Sequence, residues 1–337
     1  MSTPRSEDSK SFRKLHFKFG NYKLRYAWVS QRGYYPEDLD KRNQDAHISA
    51  EAFGESKGIR DCALFGVFDG HGKLGDHCAI FTRDHMPNML LKELAKGPPE
   101  KLSVEESYTN TFLEVNNALH ERVDIDDSLS GTTAITVLFH KGTIYVANVG
   151  DSRAIIGEER NGKLVAFPLS SDQTPFRKDE RDRCKAAGAV VANMDQMDGI
   201  EPMHEEWEQG EGGEDDDTGD PPRIWLRHKA LPGCAFTRSI GDAVGEQVGV
   251  FARPEVLVKD LTENDKYVLI ASDGVWEFLT NQTVIKMVAS YKSPLKACKA
   301  VVNEAYKLWL QYDVRTDDIT MIAIYLEDTG GLARAHA

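Results

Sequence analysis

Five short runs rich in Val, Ile, Phe and Tyr stand out from a more polar background: Leu64 to Phe68, Ala134 to Phe139, Thr143 to Ala147, Tyr267 to Ala271 and Met321 to Leu326. β-Branched and aromatic residues in runs of this length predict strands. Lys141-Gly142 joins the second run to the third and predicts a hairpin, so part of the sheet is antiparallel. Apolar residues recur at helical spacing over His77 to Leu94, Val104 to Val123, Asp179 to Ala187, Val284 to Ser290 and Leu295 to Leu310. Strands and helices come in blocks. That order predicts an α+β fold with helices packed outside stacked antiparallel sheets, not a wheel of βαβ units.

The stretch from about Met194 to Pro222 breaks the pattern with Gly-Gly, Asp-Asp-Asp and Pro-Pro and few apolar residues. It reads as a mobile loop inside one domain, because apolar patterning resumes at Arg223-Ile224-Trp225-Leu226 and continues to Leu326. The charge follows the same division. Of a net −13 over 337 residues, nine acids and no base fall between Glu205 and Asp220, which leaves about −4 for the rest. An acidic balance of this kind argues against general nucleic-acid binding. No run is apolar enough for a membrane span, and Met1 to Lys14 is too polar for a signal peptide. Cys62, Cys78, Cys184, Cys234 and Cys298 are scattered, odd in number and free of Cys-x-x-Cys pairs. A cytoplasmic location with nuclear access, rather than secretion, is expected.

At four places an apolar strand runs into, or out of, an aspartate flanked by small or polar residues. Leu64-Phe65-Gly66-Val67-Phe68 ends in Asp69-Gly70-His71-Gly72, and Tyr267-Val268-Leu269-Ile270-Ala271 ends in Ser272-Asp273-Gly274. Asn43-Gln44-Asp45 precedes Ala46-His47-Ile48, and Thr316-Asp317-Asp318 precedes Ile319-Thr320-Met321-Ile322. Taken singly, Asp-Gly is a common turn, and Gly150-Asp151 and Gly241-Asp242 share that weakness. If the strand ends meet, however, their carboxylates meet too, and such a group repels itself unless a cation neutralises it. Oxygen donors without a histidine or cysteine pattern suit Mg²⁺ or Mn²⁺ rather than zinc. Two such ions can activate a bridging water and clamp a phosphate for in-line attack. His71, between two glycines, is expected to be exposed beside the site and suited to protonate a leaving alkoxide.

Seven segments in order carry a resemblance that covers about Arg25 to Leu326. They are Asn43-Gln44-Asp45-Ala46, Phe68-Asp69-Gly70-His71-Gly72, Ser130-Gly131-Thr132-Thr133-Ala134, Ala147-Asn148-Val149-Gly150-Asp151-Ser152-Arg153-Ala154, Phe236-Thr237-Arg238-Ser239-Ile240-Gly241-Asp242, Ala271-Ser272-Asp273-Gly274-Val275-Trp276-Glu277 and Asp317-Asp318-Ile319-Thr320. The series resembles the type 2C family of metal-dependent serine/threonine protein phosphatases. The resemblance implies a four-layer α-β-β-α sandwich of two antiparallel sheets flanked by helices. A catalytic domain is expected over 21–328, with an acidic insertion at about 195–222, an N-terminal extension over 1–20 and a C-terminal tail over 329–337.

The resemblance further implies two Mg²⁺ or Mn²⁺ ions per active site and a weaker third. Asp69 is implied to bridge the pair, with the Gly70 carbonyl, Asp45, Asp273 and Asp317 completing the shell, partly through water. Asp151, Asp273 and Glu277 match the third site, and His71 takes the general-acid position. The implied reaction is attack of metal-activated water on phosphoserine or phosphothreonine in a protein substrate, without a phosphoenzyme. A monomer is expected.

Three positions depart from the family pattern. Gln44 stands where many members have a second acid, Asp40 where many have the arginine that clamps phosphate, and Glu277 where an Asp is usual. Arg42 or Lys41 is expected to substitute as the clamp. Leu169 to Val191 resembles the family's flap, and the acidic insertion after it either biases the site towards basic phosphopeptides or is a spacer without a role.

Two rivals remain. His77-Cys78-Ala79-Ile80-Phe81-Thr82-Arg83 superficially suggests a cysteine phosphatase, but four residues separate Cys from Arg where such a loop has five. Cys78 is expected in the core. The departures at Asp40 and Gln44 favour the other alternative, a catalytically weak or dead relative acting as a regulatory binding module.

Overall fold

The computed structural model describes residues 17–19, 22–97, 103–204, 207 and 220–328. Its first half runs β1 (Phe17–Phe19), β2 (Tyr22–Gln31), β3 (Asp45–Ala50), β4 (Cys62–His71), α1 (Gly75–Leu94), α2 (Val104–His120), β5 (Gly131–Thr132), β6 (Ala134–His140), β7 (Thr143–Val149), β8 (Arg153–Arg160) and β9 (Lys163–Pro168). The second half runs α3 (Lys178–Ala186), β10 (Val190–Ala192), α4 (Met194–Met197), β11 (Arg223–Trp225), β12 (Pro232–Cys234), β13 (Ile240–Gly241), α5 (Ala243–Glu246), β14 (Glu255–Asp260), β15 (Asp265–Ala271), α6 (Asp273–Trp276), α7 (Asn281–Ala289), α8 (Pro294–Tyr312) and β16 (Ile319–Asp328).

Successive strand residues point to opposite faces, and here both faces are covered. One antiparallel sheet has the order β1-β2-β16-β15-β8-β9; the other has β13-β5-β4-β6-β7-β14, with β3 paired to β4. Ala63, Phe65 and Val67 of β4 and Ile135, Val137 and Phe139 of β6 pack between the sheets against Val268 and Ile270 of β15 and Ile322 and Ile324 of β16. The alternate residues Cys62, Leu64 and Phe68 face α1 and α2, meeting Cys78, Met86, Leu90, Tyr108 and Phe112. On the far side Leu269, Ala271, Met321 and Ala323 are covered by Val284, Ile285 and Val288 of α7 and Ala297, Cys298, Val301 and Val302 of α8. The result is a four-layer α-β-β-α sandwich. Cys78 is fully buried in its helical core layer.

The segment read as a loop begins with one short helix, α4, which Asn193 caps through a reciprocal pair with Gln196. It is flanked by β10, β11 and β12, which form a three-stranded sheet. Trp207, which falls inside the acidic stretch, packs with Phe176, Cys184, Val191, Ile224, Phe236 and Val248 in a small core of its own. Strands of three residues are too short for periodicity to show, and of this subdomain's sheet only the Arg223–Trp225 run of β11 stands out in the sequence. Apart from Trp207 and Asp220, the acidic stretch lies outside the described residues, as do the extension before Phe17 and the tail after Asp328.

Buried ion pairs fasten this subdomain. Glu180 of α3 accepts from Arg238 Nη2 (2.6 Å), Thr237 Oγ1 (2.6 Å) and Arg183 Nη2 (2.6 Å). Burial disfavours the charged carboxylate, but the bonds from Arg238 and Thr237 outweigh it and take its pKa from 4.5 to about 2. A depressed carboxylate stabilises the fold above its unfolded pKa and loses that contribution as pH falls through the folded one. The tryptophan fluorescence transition of Trp207 and Trp225 is therefore expected to acquire a Glu180-dependent destabilisation between pH 4.5 and about 2. Glu180→Gln should remove that pH dependence; an unchanged acid transition in the variant would contradict it.

Candidate active site

Strands from both sheets end at one edge of the sandwich. Asp69, near the end of β4, is the register partner of Asp45 at the start of β3. Asp273 opens α6 two residues after β15, and Asp317 stands two residues before β16, the neighbour of β15. An open cleft of about 390 Å³ is lined by Asp69, Gly70, His71, Asp151, Asp273 and Asp317. Asp45 is not among the lining residues; its Oδ2 accepts from Ser272 Oγ (2.9 Å). Glu277 is exposed and stands outside the lining residues.

Several of these positions are fastened by hydrogen bonds to the backbone or the side chain. The Asp69 carbonyl accepts from Thr133 N (2.8 Å) and Thr132 Oγ1 (3.0 Å), which locks the strand end. Gly70 is required next to it: a Cβ there would overlap the Gly75 carbonyl and lie 2.7 Å from the Gln44 carbonyl. Tyr35 donates its hydroxyl to Asp317 Oδ1 (2.8 Å). Asp318 plays a different part. It accepts from Gly33 N (2.6 Å) and Gln44 N (2.8 Å), tying the β2–β3 connection to the start of β16.

Desolvation, followed by repulsion from its neighbours, holds Asp69 well above the usual carboxylate range; the neighbours are Asp45, Asp273 and Asp317. Asp273 is raised by desolvation and then by Asp317 and Asp151, and Asp45 by desolvation and then by Asp318. Asp45 Oδ1 and Asp273 Oδ1 are buried with no hydrogen-bond partner. Orphaned carboxylate oxygens in a crowd of like charge suit a hard divalent cation. Among the described residues, the acids whose oxygens already lie within 4.8 Å of one another are instead Asp179, Glu180 and Glu255, and these are neutralised by Arg177, Arg183 and Arg238.

His71 is not exposed as expected: its side chain is only 25% accessible. Its ring lies against Phe236, with centroids 4.3 Å apart, and Nε2 is 2.6 Å from Asp242 Oδ2, itself bonded by Ser239 Oγ (2.7 Å). Burial disfavours the imidazolium, yet the Asp242 charge and hydrogen bond outweigh it and raise the His71 pKa. Asp242 and Ser239 were not singled out as site residues; a turn-like Gly241-Asp242 offered no signal that it would reach a histidine 171 positions away.

Of the two cations expected to replace the clamp, only Lys41 lines the cleft. Arg42 instead points to Asp76 Oδ2 at 3.4 Å with a side chain 76% exposed, because it lies beside the N-terminal turn of α1. Arg223 and Arg315 line the cleft and were not anticipated.

A sequence model of the family described as protein phosphatase 2C matches residues 37–308. The chain belongs to the protein phosphatase 2C family. It is similar to probable protein phosphatase 2C 35 of Arabidopsis thaliana, at 44% identity over 324 residues, covering 96% of this chain and 90% of that one. Probable protein phosphatase 2C 64 of Oryza sativa subsp. japonica is 33% identical over 292 residues, covering 85% of this chain and 62% of its own. Among solved structures, the serine-threonine phosphatase 2C of Toxoplasma gondii superposes with a TM-score of 0.71, covering 94% of this chain and 98% of that one; at 18% identity this likeness concerns the fold. The family is one of serine/threonine phosphatases, and the chain is an enzyme of that class. No helix among the described residues is long and apolar enough to cross a membrane.

Proposed function

We propose that this protein phosphatase 2C hydrolyses phosphoserine and phosphothreonine in protein substrates at the aspartate cleft. The pair of buried, partnerless oxygens, Asp45 Oδ1 and Asp273 Oδ1, supports this reading most directly. Asp69, Asp45, Asp273, Asp317 and the Gly70 carbonyl would hold two Mg²⁺ or Mn²⁺ ions, with Asp151, Asp273 and Glu277 at a weaker third site. Such ions activate water and neutralise phosphate charge.

The chain's own residues supply orientation and a proton. Ser272 and Tyr35 each hold one carboxylate oxygen, Oδ2 of Asp45 and Oδ1 of Asp317, which restrains the two side chains. Asp242 occupies His71 Nε2, which leaves Nδ1 to deliver a proton to the departing serine or threonine oxygen. Gln44, neutral where an acid is usual, donates Nε2–H to the Gly72 carbonyl (2.8 Å) and braces the turn that follows His71. The catalytic domain is read as 21–328, because β2 and β16 pair along their whole lengths, from Tyr22 with Asp328 to Gln31 with Ile319. Five free, buried cysteines fit a reducing, cytoplasmic setting.

The test is phosphate release from a phosphothreonine peptide, first in chelator and then with Mn²⁺ or Mg²⁺. Turnover that appears only with metal is expected. A folded protein inactive at every metal concentration would leave the binding-module alternative.

A further inference from the structure

A phosphomonoester entering this cleft meets carboxylates on its floor, so its own negative charge calls for a cation on the wall. Asp40, where the family pattern has an arginine, is exposed and does not line the cleft, and Arg42 turns away to Asp76. Lys41 lines it, but its ammonium lies 3.5 Å from the Tyr35 ring centroid, against the residue that holds Asp317. Arg223 is bonded to Asp220 Oδ1 (3.2 Å) and the Gly233 carbonyl (3.4 Å).

Arg315 differs from all of these. It lines the cleft with Asp69, Asp273 and Asp317. Burial along Arg315, Thr316, Asp317 and Asp318 alternates outward and inward, which puts Arg315 on the same side as Asp317. Its base is anchored: Thr316 N donates to the Tyr34 carbonyl (2.9 Å), and Tyr34 N donates to Thr316 Oγ1 (2.7 Å). Its head is 57% exposed and pairs only loosely, at 3.6 Å, with the partly exposed Asp313. An exposed pair of this kind is a weak restraint, and a guanidinium fork matches two phosphate oxygens. We propose that Arg315 binds the substrate's phosphate, in the part the family pattern gives to an arginine at position 40. The assignment rests on the phosphatase reading above and names a specificity-determining residue for it.

The test uses the full chain with Mn²⁺ and compares wild type with Arg315→Ala, Arg315→Lys, Asp313→Asn and Arg42→Ala. KM and kcat are read on a phosphothreonine peptide, and the inhibition constant is read for inorganic phosphate. Arg315→Ala is expected to raise KM and the phosphate inhibition constant together, by roughly tenfold or more, with a smaller change in kcat. Arg315→Lys, a point donor in place of a fork, should recover only part, and a folded Lys variant keeps the test valid if the Ala variant does not fold. Asp313→Asn should lower both constants by removing a competing anion. Unchanged constants in Arg315→Ala, or an equal rise in Arg42→Ala, overturn the proposal. If wild type shows no turnover, calorimetric titration of inorganic phosphate into the Mn²⁺-treated proteins still decides: weaker binding in Arg315→Ala supports Arg315, whereas equal binding, or none to wild type, overturns it.

Discussion

Asp69→Asn is expected to lower kcat on a phosphothreonine peptide by roughly 10³-fold or more, with the protein still folded. Asp69 lines the cleft with Asp273 and Asp317, and burial followed by Asp45, Asp273 and Asp317 raises its pKa. Asparagine keeps the shape and leaves the backbone bonds from Thr132 and Thr133 in place. Only a charge is lost. Removing one of several crowded anions relieves repulsion, so the melting temperature in chelator should equal or exceed that of wild type. Added Mn²⁺ should then raise the melting temperature of wild type more than that of the variant. A variant that turns over normally, or one that loses activity merely by melting, would remove Asp69 from the reaction.

The next largest effect is expected at a residue outside the acid group. Asp242→Asn should reduce kcat at neutral pH by roughly 10²-fold or more, because His71 loses both its anchor and the charge that keeps it protonated. The sign follows from two opposed influences. Burial lowers the His71 pKa and Asp242 raises it, with Asp242 prevailing. Without the Asp242 charge, burial is opposed only by the smaller influence of Asp151, so the pKa falls from its raised position. The basic limb of the kcat profile should therefore move to lower pH in Asp242→Asn and vanish in His71→Ala, measured with a peptide whose leaving oxygen needs a proton. A limb that stays in place in Asp242→Asn would show that His71 is not the group it reports.

Much of the sandwich was legible because its central strands are buried on both faces. Leu64–Phe68 and Tyr267–Ala271 read as unbroken apolar runs since one set of side chains fills the space between the sheets and the other faces helices. β2, with the sequence Tyr-Lys-Leu-Arg-Tyr-Ala-Trp-Val-Ser-Gln, gives no such run, because it mixes polar and apolar positions on partly exposed faces. The edge strand β14 was missed for the same reason, with Leu257 and Val258 exposed. The subdomain of β10 to β12 escaped because its core joins Phe176, Trp207, Ile224 and Val248, residues too far apart in sequence to form a pattern.

The sequence alone determined the sandwich class, the family and the placing of Asp45, Asp69, Asp273 and Asp317 at strand ends, because each depends on a strand and the residues that border it. Which cations face those acids was settled only in three dimensions. Proximity in sequence to position 40 suggested Arg42 and Lys41, yet antiparallel pairing of β2 with β16 brings Arg315 to the same cleft from the other end of the chain. Likewise β5 pairs with both β13 and β4, and that bridging places Asp242 beside His71. A carboxylate at a strand end is a local fact, whereas a side chain's partner across a cleft depends on every strand register between them.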